Sequence, residues 1–421
     1  MRDEPASAAR RAFLEGAGAL GLATALAPLA GARAAAATSP PELAATPTRT
    51  ALLALLDVVR DLDARFVTAE RGFTAPWQVA EGHRYLVHLV AAAHRLFLEN
   101  DPERPLLVRL ETPWRKFMGG NPDAYYFYAP IRGDRAYRIR GRHRGEVYRS
   151  VTTHGGKEEG GWGSYVVSHR NDRQYASAAD GSYELVLAPA RPDGVPESNW
   201  IPTRPDVQAV ITRHYFLEQE YAPAAKGWEI PIAIEPVVDP GPRPEPTEAS
   251  IERRLRAMAS FVRDNTVVLF GPEEKLPSWF GRGWNRFGEP SFWGGADDGG
   301  GWGAVDNSYS SARYRLAPDE ALVMRGRFPK CAFASAVLVN RWLQSYDFTQ
   351  RRMSLNMRQT VKEEDGSFEI VVAHDDPGPA HPNWIDTGGR GEGQVDWRFQ
   401  LPETKPEPIR TEVVKLAALR A

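Results

Sequence analysis

Apolar residues along this chain recur with two different periods. In residues 50–66, Leu52, Leu55, Leu56, Val59 and Leu62 fall at helical spacing. Residues 82–98 repeat that spacing with Tyr85, Leu86, Leu89, Val90 and Leu96. Pro246-Thr247-Glu248 opens a third predicted helix, whose apolar stripe is Leu255, Met258, Ala259 and Val262. Elsewhere the period shortens to that of a strand. Residues 182–187 and 367–373 alternate or run apolar, rich in β-branched and aromatic side chains. Each follows an Asp-Gly pair, a turn signal. Residues 136–140 and 321–324 read as strands opening two sheets, and 207–216 and 394–401 as strands closing them. Short strands broken by turns predict a mainly β protein with helical additions, built as β-sandwiches or jelly rolls.

The pattern also repeats at one offset. Arg140-Gly141-Arg142 returns 185 residues later as Arg325-Gly326-Arg327, and Asp180-Gly181-Ser182-Tyr183-Glu184 returns 185 later as Asp365-Gly366-Ser367-Phe368-Glu369. Asn199-Trp200-Ile201 returns 184 later as Asn383-Trp384-Ile385, and Arg213 matches Arg398. Four collinear matches predict an internal duplication, with a period too long for a solenoid. The expected parse is a helical segment (38–120), a first sandwich (121–238) and a Pro-rich linker (239–247). A helix with a Gly/Trp-rich segment (248–304), a second sandwich (305–403) and a C-terminal tail (404–421) complete it.

Composition changes this picture mainly by exclusion. The net charge of −2 provides no basic field for nucleic acid. Cys331 is the single cysteine and lies in an apolar stretch, so neither an internal disulfide nor a cysteine metal cluster can form. The nine histidines form neither H-x-H nor H-E-x-x-H, and no cofactor motif is present. Residues 1–37 read as an address. Arg10-Arg11 precede Phe13-Leu14, an uncharged stretch follows over 16–32, and Ala32-Arg33-Ala34 and Ala34-Ala35-Ala36 each fit a cleavage site. This is similar to a twin-arginine signal, although Glu15 stands where such signals often carry Lys. It predicts export through the twin-arginine translocase to the periplasm or beyond, without stable membrane insertion of the mature chain.

Several segments coincide with one family. They are Trp114-Arg115-Lys116-Phe117, Gly119-Gly120-Asn121-Pro122-Asp123-Ala124-Tyr125 and Tyr137-Arg138-Ile139-Arg140-Gly141 in the first half. The second half adds Asp365-Gly366-Ser367, His374-Asp375-Asp376-Pro377-Gly378 and Asn383-Trp384-Ile385-Asp386. Together they resemble the bacterial domain-of-unknown-function family 1214 over residues 110–402. The first copy lacks the Asp-x-Pro-Gly turn and has Ala190-Arg191-Pro192-Asp193-Gly194 in its place. The resemblance implies β-sandwich or jelly-roll domains in exported proteins; it carries no reaction and no catalytic residues.

Two stretches suggest chemistry. Residues 279–302 hold Trp279, Trp284, Trp293 and Trp302 among glycines, with Glu289, Asp297 and Asp298 between them. Flat aromatics beside carboxylates suit sugar recognition, rings stacking on C–H faces while carboxylates bind hydroxyls or act as acid and base. The same stretch could equally cover a sheet edge. Residues 153–162 form a second Gly-rich loop with Glu158, Glu159 and Trp162, which also reads as a solvated hairpin. The repeated Arg213 and Arg398 suit a buried ion pair or an anion site, and Trp384 with Trp200 suits the cap of a core. The expectation is an exported hydrolase of a carbohydrate or glycoconjugate. Its acid and base come from Glu158, Glu159, Glu289, Asp297 and Asp298, and Trp162, Trp284, Trp293, Trp302, Trp384, Arg213 and Arg398 bind the ligand. The alternative is a non-catalytic exported protein that binds a glycan or amphipathic ligand. A third reading is docking to an envelope partner through a flat apolar patch.

Overall fold

The computed structural model describes residues 45–156, 158–161, 165–218, 229–270, 275–293 and 301–421. Residues 1–37, where the export signal is expected, lie outside that set.

Two helices come first, α1 (Pro47–Arg65) and α2 (Pro76–Ala93). The first half then lays down β1 (Val108–Arg109), β2 (Ala124–Pro130), β3 (Tyr137–Arg142), β4 (Tyr148–Gly155) and β5 (Tyr165–Asn171). It continues with β6 (Ser182–Ala188), β7 (Trp200–Pro202), β8 (Val207–Tyr215) and β9 (Ile232–Pro236). After α3 (Glu248–Arg263) the second half gives β10 (Phe280–Trp284), β11 (Ser291–Trp293), β12 (Ala304–Arg315), β13 (Glu320–Arg327) and β14 (Phe333–Val339). It ends with β15 (Ser354–Asn356), β16 (Ser367–Ala373), β17 (Trp384–Asp386), β18 (Glu392–Gln400), β19 (Arg410–Lys415) and the short α4 (Leu416–Leu419).

The sheet orders make the duplication explicit. The first half holds β1-β2-β8-β4-β5 and β7-β6-β3-β9; the second holds β10-β12-β18-β14-β15 and β17-β16-β13-β19. Each half stacks its two sheets around its own apolar core. In the first, Ala129, Ile131, Val151 and Val210 meet Tyr137, Ile139, Leu185 and Leu187. In the second, Ala334, Leu338, Val395 and Trp397 meet Leu322, Met324, Ile370 and Val372. Each fully buried aliphatic side chain contributes about 1.5–3 kcal/mol, so a Leu185→Ala change at the centre of this layer costs about 3 kcal/mol.

The repeated Asn-Trp pair explains why both halves turn alike. The Asn199 amide donates to the carbonyls of Ala176 and Glu184, and its oxygen accepts from the Ala176 amide. Asn383 makes the same three bonds to Val361 and Glu369. Trp200 and Trp384 each donate their indole N–H to the last carbonyl of the adjacent strand, Ala188 or Ala373.

The helices use one layer, not two. Thr247 caps α3 by accepting from the Ser250 amide. α3 packs against α1 and α2 through Phe97, Phe261 and Val262, and this cluster also covers Tyr128 and Ile211 of the first sandwich. On α1 the buried line is Ala51, Leu55 and Leu62. Leu52 and Leu56, expected on the inner face, are 45% and 55% exposed. The covered face is narrower than the run of leucines suggested, and small Ala51 sits at its centre. Both α2 and α3 run on into a wider π turn, His94–Leu98 and Asp264–Val268. Residues 47–421 form one compact unit, and among the described residues no helix is long and apolar enough to cross a membrane.

Candidate functional site

Strand alternation decides what faces the seam between the halves. On β8, Val210 points into the first sandwich, while Ile211, Arg213 and Tyr215 point away from it. On β18, Val395, Trp397 and Phe399 enter the second core, leaving Gln394, Asp396 and Arg398 on the opposite face. Register then builds the same rung twice. Arg213 lies opposite Tyr126 on β2 and Ser150 on β4. Arg398 lies opposite Tyr309 on β12 and Ser335 on β14. Both Tyr–Arg pairs line one pocket of about 180 Å3, whose remaining wall is mostly aromatic and aliphatic.

The two arginines are held differently. Arg213 is buried; its Nη1 donates to Thr152 Oγ1 at 2.6 Å, and its Nη2 to the Trp302 and Gly303 carbonyls at 2.6 and 2.9 Å. Arg398 donates from Nη2 to the Gly119 carbonyl. Its Nη1 is a buried donor with no hydrogen-bond partner among the described residues. The Trp279 indole N–H, on the same pocket wall, is in the same condition. Unpaired buried donors are costly; other buried side-chain atoms among the described residues also lack a partner, but these two are the ones on residues that line the pocket.

Two carboxylates flank the Gly119-Gly120 turn. Gly119 has a φ of +70°, and a Cβ there would lie 3.1 Å from Asp396 Oδ2. A Cβ on Gly120 would lie 1.2 Å from Glu111 Oε2, so only glycine leaves room for that carboxylate. The two carboxyls are therefore within about 11 Å of each other. Asp396 accepts from Ser311 Oγ at 2.6 Å and Gln394 Nε2 at 2.5 Å. Glu111 accepts from the Phe117 amide at 3.2 Å. Burial pushes the Glu111 carboxyl up to about 7, against the pull of the Phe117 amide, Arg398 and Lys116. Nearby, Tyr126 and Tyr215 share a 2.7 Å hydroxyl bond, and burial followed by its neighbour Tyr215 holds the Tyr126 phenol well above its ordinary range.

The wall is strained as well. Four non-glycine residues among those described have a left-handed φ, and Met118 (56°) and Leu343 (53°) both line this pocket. The Gly119 amide donates to the Leu343 carbonyl at 2.7 Å, which ties the two strained turns together.

The residues expected from sequence divide around this pocket. Arg213, Arg398, Trp293 and Trp302 line it. Trp302 also stacks on Tyr128 with ring centroids 5.2 Å apart. Trp284 lies outside the lining, beneath the Arg315 guanidinium, 3.9 Å from its ring centroid. Trp384 packs with Ala321, Val323 and Val371 on the second sandwich. The expected carboxylates stand elsewhere. Glu158 accepts from Ser260 Oγ at 2.6 Å and Arg263 Nη2 at 3.0 Å, and the Ser260 bond leads in holding it below its ordinary range. Glu159 takes both its bonds from Arg253 Nη1 at 2.9 Å. These pairs fasten their loop to α3, where Gly160 presses against the Ala257 carbonyl. Glu289 is exposed and pairs with Lys405 at 3.3 Å. Trp162, Asp297 and Asp298 lie outside the described residues. No group of three or more His, Cys, Asp or Glu side chains that could hold a metal occurs among the described residues. The half-buried Cys331 has its thiol pushed up to about 11 by burial, a poor thiolate.

Sequence reasoning passed over Glu111, Tyr126, Tyr309 and Asp396, and left Trp279 as one aromatic among several. The one available signal was the Gly119-Gly120 pair, whose need for glycine appears only once Glu111 is folded against it.

A duplicated β-sandwich protein with a partly polar pocket between its copies is the class these features define. The family model described as Protein of unknown function (DUF1214) matches residues 128–219 and again 311–404, so the chain carries two DUF1214 domains. Among solved structures, an uncharacterised protein from Burkholderia cenocepacia is 27% identical, with a TM-score of 0.74 over 88% of this chain and 97% of its own. A Vibrio parahaemolyticus protein is 13% identical, covering 79% of this chain and 98% of its own, with a TM-score of 0.47. No curated protein matches the chain.

Proposed function

We propose that this protein binds a small amphipathic molecule in the pocket between its two sandwiches, and that it does so outside the cytoplasm. The observation that carries this reading is the pair of buried donors, Arg398 Nη1 and Trp279 Nε1, which have no partner among the described residues. A ligand with an acceptor oxygen would satisfy both, while Trp293, Trp302 and Ile211 would cover its apolar body. The volume suits one ring, since a cavity of about 150 Å3 accepts benzene. Export rests on Arg10-Arg11 and the uncharged stretch after them.

The test is ligand-dependent change in tryptophan emission and in melting temperature, across single-ring compounds and monosaccharides. Binding by at least one, lost in a Trp302→Leu or Arg398→Met variant that stays folded, supports the reading. Undiminished binding in both variants removes it. Export is tested separately by fusing residues 1–37 to a reporter; a paired Arg10→Lys, Arg11→Lys change should keep the reporter inside the cell.

Glu111 favours a second reading, hydrolysis. A carboxyl that titrates near neutrality can act as general acid, and Asp396, across the Gly119-Gly120 turn, is the second carboxylate on the pocket wall. In that case Glu111→Gln abolishes turnover and leaves binding intact. The surface carboxylates Glu158, Glu159 and Glu289 are already engaged by Ser260, Arg263, Arg253 and Lys405, which argues against their use as acid and base.

A further inference from the structure

We infer that the ligand is a carboxylate on a single-ring or similarly small apolar body, received by Arg398 Nη1 and Trp279 Nε1. This rests on the reading that the pocket binds a small molecule and names the chemistry of that molecule's polar end.

The argument is one of charge and geometry. Arg213 and Arg398 bring two cations to the pocket wall, and Asp396 and Glu111 bring the carboxyls. The Arg213 hydrogen bonds go to a hydroxyl and two carbonyl oxygens, none of them charged. Asp396 Oδ1 is engaged by Ser311 and Gln394. When Glu111 carries its proton, the wall therefore has one positive charge in excess, and the vacant donor lies on one of those cations. A guanidinium donor joined by a second N–H is a carboxylate's preferred partner. A neutral carbonyl would satisfy the same donors but leave the excess charge in a poorly solvated place, which favours the anion.

Glu111 decides the pH dependence, and its neighbours are known. Arg398 faces it from β18, Arg115 and Lys116 from the loop that follows it towards β2, and Arg109 from β1; the phenols of Tyr85 and Tyr126 approach from α2 and β2. Asp396 lies across the Gly119-Gly120 turn. A bound carboxylate adds a second anion beside Arg398, so Glu111 takes up a proton on binding at pH values where it is otherwise ionised.

The test uses the whole exported protein and three matched probes, phenylacetate, phenylacetamide and benzyl alcohol, by calorimetry at pH 6 and pH 8. The expected result is phenylacetate bound about tenfold or more tightly than either neutral probe at pH 6. Its affinity should fall at pH 8 with measurable proton uptake, and the fall should vanish in Glu111→Gln. Trp279→Phe, which keeps a ring but removes the N–H, should weaken phenylacetate about fivefold. Neutral probes binding as tightly as phenylacetate would overturn the carboxylate assignment and leave small-molecule binding standing. Failure of all three probes to bind would overturn both.

Discussion

Arg213 and Arg398 occupy the same rung of the same fold, each between a tyrosine and a serine, yet they do different work. Arg213 gives its hydrogen bonds to Thr152 and to the Trp302 and Gly303 carbonyls, so it holds the first sandwich to the segment leading into β12. Arg398 has the Gly119 carbonyl, and its Nη1 has no partner among the described residues. Their surroundings differ in step: Ala209 and Ile211 flank Arg213 on its strand face, where Gln394 and Asp396 flank Arg398. Duplication supplied two copies of a charged rung facing one seam. One copy became a tie; the other leaves one donor, Nη1, without a partner among the described residues, and that is the donor we propose a ligand takes. Recurrence of a residue in both copies therefore does not by itself mean that both copies are structural.

The sharpest way to break this comparison is to remove each arginine in turn. Arg213→Met should destabilise the protein by about 3–4 kcal/mol in urea denaturation, because it strands the Trp302 and Gly303 carbonyls and takes one partner from the buried Thr152 hydroxyl, which keeps His154 and Ile211. Arg398→Met should cost about 1–2 kcal/mol and abolish binding of the pocket's ligand. Equal costs would mean that both arginines are ties. Next in size, Glu111→Gln should change how stability depends on pH. The folded protein holds the Glu111 proton up to about 7, against an ordinary 4.5, so the native state binds more protons than the unfolded chain between those values. Stability should fall as pH rises through that window, by about 3 kcal/mol from this group, and stay level above it. The glutamine variant should lose that part of the slope. Asp123, also buried and pushed up to about 7, should keep its own part, which makes Asp123→Asn the matching control. Gly120→Ala should then cost about 2 kcal/mol by displacing the Glu111 carboxylate, and the cost should shrink in a Glu111→Ala background. The smallest effects belong to Glu158→Ala, Glu159→Ala and Glu289→Ala. Each should change stability by less than about 1 kcal/mol and leave ligand binding unaltered.

Much of the scaffold was legible in the sequence, because strand alternation and the 185-residue offset are local signals. Residues 182–187 and 367–373 form β6 and β16, and they sit in equivalent places in their sheets. The offset also pointed to Arg213 and Arg398. The rest of the pocket was not legible. Tyr126 meets Arg213, and Tyr309 meets Arg398, through antiparallel register across strands that lie far apart in the chain. Glu111 stands in a segment with no periodicity, and its meaning comes from a glycine nine residues later. Clusters of glycine, tryptophan and carboxylate drew attention to acids of which Glu158, Glu159 and Glu289 stand outside the pocket lining. Closeness in sequence says little about which face a loop side chain takes, and Glu158 and Glu159 turned toward arginines on α3.

The most direct test of the account is a crystal structure of the protein grown with phenylacetate. It should show the ring against Trp293 and Trp302, with one carboxylate oxygen about 2.8–3.0 Å from Arg398 Nη1 and within hydrogen-bonding distance of Trp279 Nε1. An ordered pocket without the ligand, at concentrations that saturate any binding seen in solution, or a ligand bound elsewhere on the sandwiches, would contradict it.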